Sequence, residues 1–168
     1  MKKILENIIL ILLIMKLASC GIYSFSGSSI PANAKTVSII RFNNKTNNSA
    51  PSLEQILTEK LKDIFIEQTN LSLSNLQGDL HFNGSIEKYE IKPISINSNE
   101  TASQNRLTIS VQVNYENRLM KEYNFEETFS RYKDFDGSSN ITEIETEIID
   151  EITEQIVEDI FNKATVNW

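Results

Sequence analysis

The 168-residue sequence is poor in the residues that most site chemistry requires. It holds one cysteine, Cys20, so no intramolecular disulfide can form. It holds one histidine, His81, and with no spare cysteine a zinc site would be unusual. No glycine-rich phosphate loop, internal repeat or nucleophile-elbow pattern occurs, so the many serines have no triad motif around them. Positive charge is also short: 16 Lys and Arg face 23 Asp and Glu, a net charge of −7. That balance argues against a nucleic-acid partner, which needs a basic footprint. From these shortages we expect no catalytic residues, no metal and no cofactor.

The first twenty residues are informative. Lys2 and Lys3 form a positive start, and Ile8 to Met15 is a short, wholly apolar run. Spanning a bilayer takes roughly 20 apolar residues, so this run has the size of a secretory signal instead. Leu17, Ala18, Ser19 and Cys20 then give an aliphatic residue, two small residues and a thiol, the pattern of a bacterial lipobox. Small residues fit a narrow peptidase site, and the Cys20 thiol is the atom that would receive lipid. We therefore expect a signal peptide at 1–19, a lipidated tether at 20–36 and one domain at 37–168. Several acyl chains hold a protein to a membrane where one holds it only marginally. With no acidic residue close behind Cys20, the expected location is the periplasmic side of the outer membrane.

Cleavage before Cys20 removes three Lys and one Glu and takes the charge from −7 to −9. Residues 141–164 carry eight acids and one Lys, so the acidity is mainly one helix face, read as solvated. The tether could reach roughly 55 Å if extended at about 3.4 Å per residue. Tyr23, Phe25 and Ile30 are too apolar for a purely solvated linker, so part of it should dock.

Within the domain, Val37–Phe42 reads as a strand covered on both faces, followed by a loop at Asn43–Ser49. Ser52 and Gln55 have capping-box spacing, and Leu53, Ile56, Leu57, Leu61, Ile64 and Phe65 form a helical stripe. Leu80–Ile96 reads as a long strand. Leu80, Phe82 and Ile86 share one parity while Tyr89 and Ile91 share the other, which requires a β-bulge near Glu87–Lys88. Pro93 favours an edge or a strand end. After a loop at Asn97–Asn105, Arg106–Tyr115 alternates cleanly between apolar and polar residues, and a further strand covers about Lys121–Tyr132. Asn140 and Glu143 open a long helix with an isoleucine-rich stripe from Ile141 to Phe161. The order strand, helix, three strands, helix predicts an α+β layer, a small antiparallel-rich sheet of about four strands with two helices on one face.

Two weaker patterns have plain explanations. His81 lies between Leu80 and Phe82, which point the other way, so it should face solvent or a partner. Asp134 to Asn140 has a faint calcium-loop look but lacks EF-hand spacing, and a turn plus helix cap accounts for the same residues.

Several fragments resemble the lipopolysaccharide-assembly lipoprotein family, LptE. They are Cys20 to Gly27, Ile30-Pro31, Lys35 to Ile39, Leu57 to Asp63, Gly78 to Gly84, Arg106 to Ile109, Phe129 to Phe135 and Glu158 to Asn162, in order along the chain. The resemblance implies a non-enzymatic lipoprotein that plugs a large β-barrel partner, LptD, in the translocon that delivers lipopolysaccharide to the cell surface. It also implies contact with lipopolysaccharide phosphates through basic residues. Lys88, Lys92 and Arg106, flanking the 93–105 loop, are the candidates, against the simpler reading of scattered solvated charge. The alternative to the translocon role is a stand-alone periplasmic lipoprotein binding a small ligand or peptidoglycan, which would need a deep cavity between helices and sheet.

Overall fold

In the computed structural model, residues 30–96 and 102–166 are described. Cys20, the signal segment and most of the tether lie outside them.

A strand–helix–strand unit starts the domain. Strand β1 (Thr36–Ile39) is followed by β2 (Asn43–Asn44), helix α1 (Leu53–Gln68), β3 (Ser72–Leu73) and the long β4 (Leu80–Ile96). A crossover helix returns the chain to the same end of the sheet, so the strands it joins pair parallel. β1 accordingly pairs parallel with β4, through Val37↔Leu80 and Ile39↔Phe82, and with β3 on its other side. β2 also pairs parallel with β4. Strands β5 (Ala102–Asn117) and β6 (Phe125–Asp136) then add antiparallel, with a short 3-10 turn at Lys121–Tyr123 between them. Helix α2 (Ile141–Thr165) closes the chain.

The α+β class and the two helices on one face match expectation, but the sheet does not. It has six strands rather than four and runs β3-β1-β4-β5-β6 with β2 beside β4; it is mixed, antiparallel along β4, β5 and β6 as expected but parallel where β1, β2 and β3 pair. The difference lies in β2 and β3, which have two residues each, too few to show any periodicity. The single strand expected at Val37–Phe42 breaks after Ile39, leaving Ile40 exposed and Phe42 buried. The loop expected at Asn97–Asn105 is shorter, because 102–105 pair as strand.

Other expectations hold. The ladder between β4 and β5 slips between Ile86 and Lys88, the bulge required by the parity change. Beyond Ile86, β4 has β5 as its registered neighbour, and Pro93 sits on that edge segment opposite Asn105. Asn140 caps α2, its side chain accepting from the Thr142 N–H at 3.2 Å. Ser52 does occupy the N-cap of α1, but its side chain makes no cap hydrogen bond, so the expected capping box is not formed.

The core lies between the helices and one sheet face. Leu107, Ile109, Val111, Val113 and Tyr115 of β5 are fully buried there, as are Leu53, Leu57, Leu61 and Phe65 of α1. Fully burying such side chains contributes about 1.5–3 kcal/mol each before entropy costs. A chain of aromatic contacts crosses the layers, from Phe161 to Phe65 (5.0 Å between centroids), Phe82 (4.9 Å), Tyr115 (4.6 Å) and Phe125 (5.1 Å). Along the margin of β6, ion pairs to α2 seal the core: Glu127 with Lys163 at 3.1 Å, Arg131 with Asp159 at 2.6 Å, and Lys133 with Glu151.

Candidate functional site

Even-numbered residues of β5 point away from the helices, and no helix packs on that sheet face, which the Ser74–Gly78 segment covers only at Ser38 and His81. Gln112 and Asn114 lie on it beside Asn83 and Ser85 of β4 and Thr128 of β6. Gln112 donates to Glu126 at 2.6 Å, and Ser110 and Ser130 share a hydrogen bond of 2.9 Å. The face is thus polar along its length, where an exposed apolar one would demand a hydrophobic partner.

Past the bulge, the same face carries the three candidate cations. Lys88 and Lys92 stand two residues either side of Glu90, and both reach its carboxylate, at 2.8 and 2.9 Å. Those two hydrogen bonds hold the Glu90 carboxyl below the usual carboxylate range. Arg106 lies directly opposite Lys92 on one side and Asp134 on the other. Its guanidinium grips Asp134 in a fork, at 2.6 and 2.9 Å, and sits 3.6 Å from the centre of the Tyr132 ring. This bond raises the pKa of Arg106 and lowers that of Asp134. The structure therefore brings Lys88, Lys92 and Arg106 together. It also adds Glu90, which lies between the two lysines on β4, and Tyr132 and Asp134, which sequence reading missed because the β5–β6 register cannot be read from β6 alone. Three cations and two carboxylates leave one net positive charge. The pairs are part-exposed and screened by solvent, so an incoming anion displaces the carboxylates at little cost.

His81 is placed differently from expectation. It is 6% exposed rather than facing solvent, and its Nδ1 lies 2.7 Å from Ser38 Oγ. The cause is the chain from Ser74 to Gly78, which folds over this part of the sheet. Gly78 N–H donates to Ser38 Oγ at 2.9 Å, and a Cβ at Gly78 would meet backbone of Val37, Ser38 and Leu80 at about 3 Å. The pair is no nucleophilic dyad. Ser38 Oγ is buried and engaged by Gly78 N–H, and among the described residues no carboxylate hydrogen-bonds the ring to orient it.

The faint calcium loop is a turn and cap. Asp134 is engaged by Arg106, and Asp136 accepts from Ser138 N–H at 2.7 Å. Among the described residues no group of three His, Cys, Asp or Glu side chains could hold a metal ion. No described helix is long and apolar enough to cross a membrane. The space between helices and sheet is filled by the core; the largest opening described is a groove of about 410 Å³ at the β1–β3 edge, outside that core.

A family model described as LptE, lipopolysaccharide-assembly, matches residues 34–164, nearly the whole domain. No curated protein sequence matches the chain. Among solved structures, the chain is similar to the hypothetical protein CT253 from Chlamydia trachomatis (11% identity, TM-score 0.55, covering 78% of this chain and 98% of that one). It is similar also to rare lipoprotein B from Shewanella oneidensis (10%, 0.53, 76% and 92%). Lipoprotein B from Nitrosomonas europaea is a third (12%, 0.51, 76% and 79%). At such identities the likeness is one of fold. The family match over 34–164 is what assigns the chain: it belongs to the LptE lipopolysaccharide-assembly family, non-enzymatic lipoproteins anchored by lipid at the periplasmic side of the outer membrane.

Proposed function

We propose that this domain sits as a plug within the lumen of a large LptD-type β-barrel, and that the pair delivers lipopolysaccharide to the outer leaflet. The supporting observation is the uncovered sheet face, polar from Asn83 and Ser85 across Gln112 and Asn114 to Thr128. A barrel lumen is itself polar, so such a face meets it without stranding apolar surface. Lipid on Cys20, after removal of 1–19, tethers the plug to the bilayer that surrounds its barrel. Lys88, Lys92 and Arg106 are the phosphate-contacting residues in this reading, with Tyr132 and Asp134 keeping the Arg106 fork in place.

Mild-detergent pull-down of the lipidated protein tests it. A large β-barrel should co-purify, and depletion should lower surface lipopolysaccharide. Recovery of the lipoprotein alone, with surface lipopolysaccharide intact, would overturn the proposal.

A further inference from the structure

One backbone position at the edge of the sheet is left without a partner. Along β1, the Ile40 N–H donates to the Phe82 carbonyl at 2.9 Å, so the backbone of even-numbered residues bonds toward β4. The Val37 carbonyl accepts from the Ser74 N–H at 2.9 Å, so odd-numbered residues bond toward β3. That pairing ends at Val37↔Leu73. The next odd residue, Ile39, has neither its N–H nor its C=O bonded among the described residues, although it is only 8% exposed. Buried backbone groups are nearly always paired, whether with chain, side chain or water.

Where β3 leaves β1, the groove of about 410 Å³ wraps round this free edge. Leu73 and Lys62 line it on the helix side of the sheet. Ile40, Leu76 and His81 line it on the other side, and both aliphatic residues there are exposed. His81 is a second group in want of a partner. Its Nδ1 is engaged by Ser38, while Nε2 of this buried ring has no hydrogen-bond partner among the described residues. Lys62 is the one ion among the lining residues, and Glu59 neutralises it at 2.9 Å. The groove therefore offers little to an anion. It offers one backbone donor, one backbone acceptor, apolar walls and a lone imidazole nitrogen.

We propose that this groove binds an extended peptide segment of a partner polypeptide, which pairs with Ile39 as a strand laid beyond the end of β3. An extended backbone presents an N–H and a C=O along one edge, the complement of Ile39, and strand addition at an open edge is a recurrent mode of peptide recognition. Its side chains alternate between the two sides of the sheet. Apolar ones reach Leu73 on one side, and a hydroxyl-bearing one reaches His81 beside Ile40 and Leu76 on the other. Threonine suits the second place. Its methyl meets the aliphatic wall, and its hydroxyl can donate to Nε2 or accept from it, whichever ring nitrogen carries the proton. The inference stands whether or not the domain plugs a barrel.

The neutral probe acetyl-Ser-Val-Thr-Val-Thr-Val-Ser-amide, titrated into the isotope-labelled chain 20–168, tests it by nuclear magnetic resonance. Ile39, Ile40, Leu73 and Leu76 should show saturable amide shifts, with the Ile39 proton moving downfield as it gains a bond. The His81 Nε2 signal should move in step, and should stay still for a peptide with alanine in place of both threonines. N-methylation along the peptide backbone should abolish the Ile39 shift. Ile40→Ser with Leu76→Ser, both outside the core, should weaken binding about tenfold. No saturable shift at Ile39, or an equal response to the N-methylated peptide, would overturn the proposal. So would an Ile39 shift on diluting the protein alone, which would give the edge to a second copy of this chain.

Discussion

Single side chains fasten the start of this fold, and Asp79 does the most of it. One of its carboxylate oxygens accepts from the Lys35 N–H at 2.9 Å, the Thr36 N–H at 3.0 Å and the Thr36 hydroxyl at 2.9 Å. Its own N–H donates to the Thr36 hydroxyl at 3.0 Å, so β1 and β4 are stapled where both begin. The Lys35 N–H, then the Thr36 hydroxyl, hold the Asp79 carboxyl below its usual value near 3.8. A lowered folded pKa means stability that is present above the unfolded value and lost as pH falls through the folded one. Asp79→Asn should therefore lower unfolding stability at neutral pH by about 1.5–3 kcal/mol, the range for hydrogen bonds to a charged group. The gap between variant and parent should shrink as pH falls below the usual value near 3.8 and through the lowered folded one. Urea titrations at pH 7 and pH 3 measure both, and a gap that does not narrow in acid would remove the charge from the argument. Gly84 is a second fastening, made by absence. A Cβ there would lie 2.1 Å from the Gln112 carbonyl oxygen and 2.6 Å from the Phe42 ring. Asp79 and Gly84 lie in a fragment that carries the family resemblance, but their roles were not legible in it, since both depend on which strand lies beside them. The same holds for the Ser38–His81 pair, where alternation correctly set His81 opposite the core face but could not show that the Gly78 segment covers it.

Elements were legible wherever their own residues carried the signal. The bulge is the clearest case, since Ile86 and Tyr89 cannot share a face of a regular strand. The β4 ladder slips there, leaving Glu87 unmatched. Helix α2 was legible from Asn140 and its isoleucine stripe, yet its acidic face is less solvated than composition suggested. Tyr89 donates to Glu145 at 2.5 Å, Asp150 meets Lys60, Glu151 meets Lys133, and Asp159 meets Arg131. The strand order was not legible, because parallel pairing of β1 with β4 is set by the path of α1 rather than by any pattern within β1. The bulge also decides the candidate site, because it turns Lys88 and Lys92 to the polar face and Tyr89 and Ile91 toward α2. Deleting Glu87 would reverse the far half of β4. Lys88 and Lys92 would be driven against the helix side, and the Tyr89–Glu145 bond would break. That deletion should lower stability by about 1.5–3 kcal/mol, the scale of one apolar side chain lost from burial. Moving the deletion to the loop, at Asn47, should cost far less; equal losses for the two deletions, in urea midpoints, would show that register plays no part.

At the scale of the whole molecule, the described core stands apart from the anchor. Among the described residues every fully buried one lies between Val37 and Ala164, and Ile30 and Ala34 are the earliest of them that pack against it. The described core is thus assembled from residues beyond the tether, whereas in the proposed reading attachment to the bilayer depends on acyl chains carried by Cys20. Cys20→Ala should leave the thermal melt of the domain unchanged, because the buried set is untouched. In cells the variant should leave the membrane fraction, since single weak contacts hold a protein to a bilayer only marginally. A variant that stays in the membrane fraction would transfer the holding role to the barrel. Repeating the fractionation after depletion of that barrel then separates the two, because a plug loses its place when the lumen is gone, and a lipid-held domain does not.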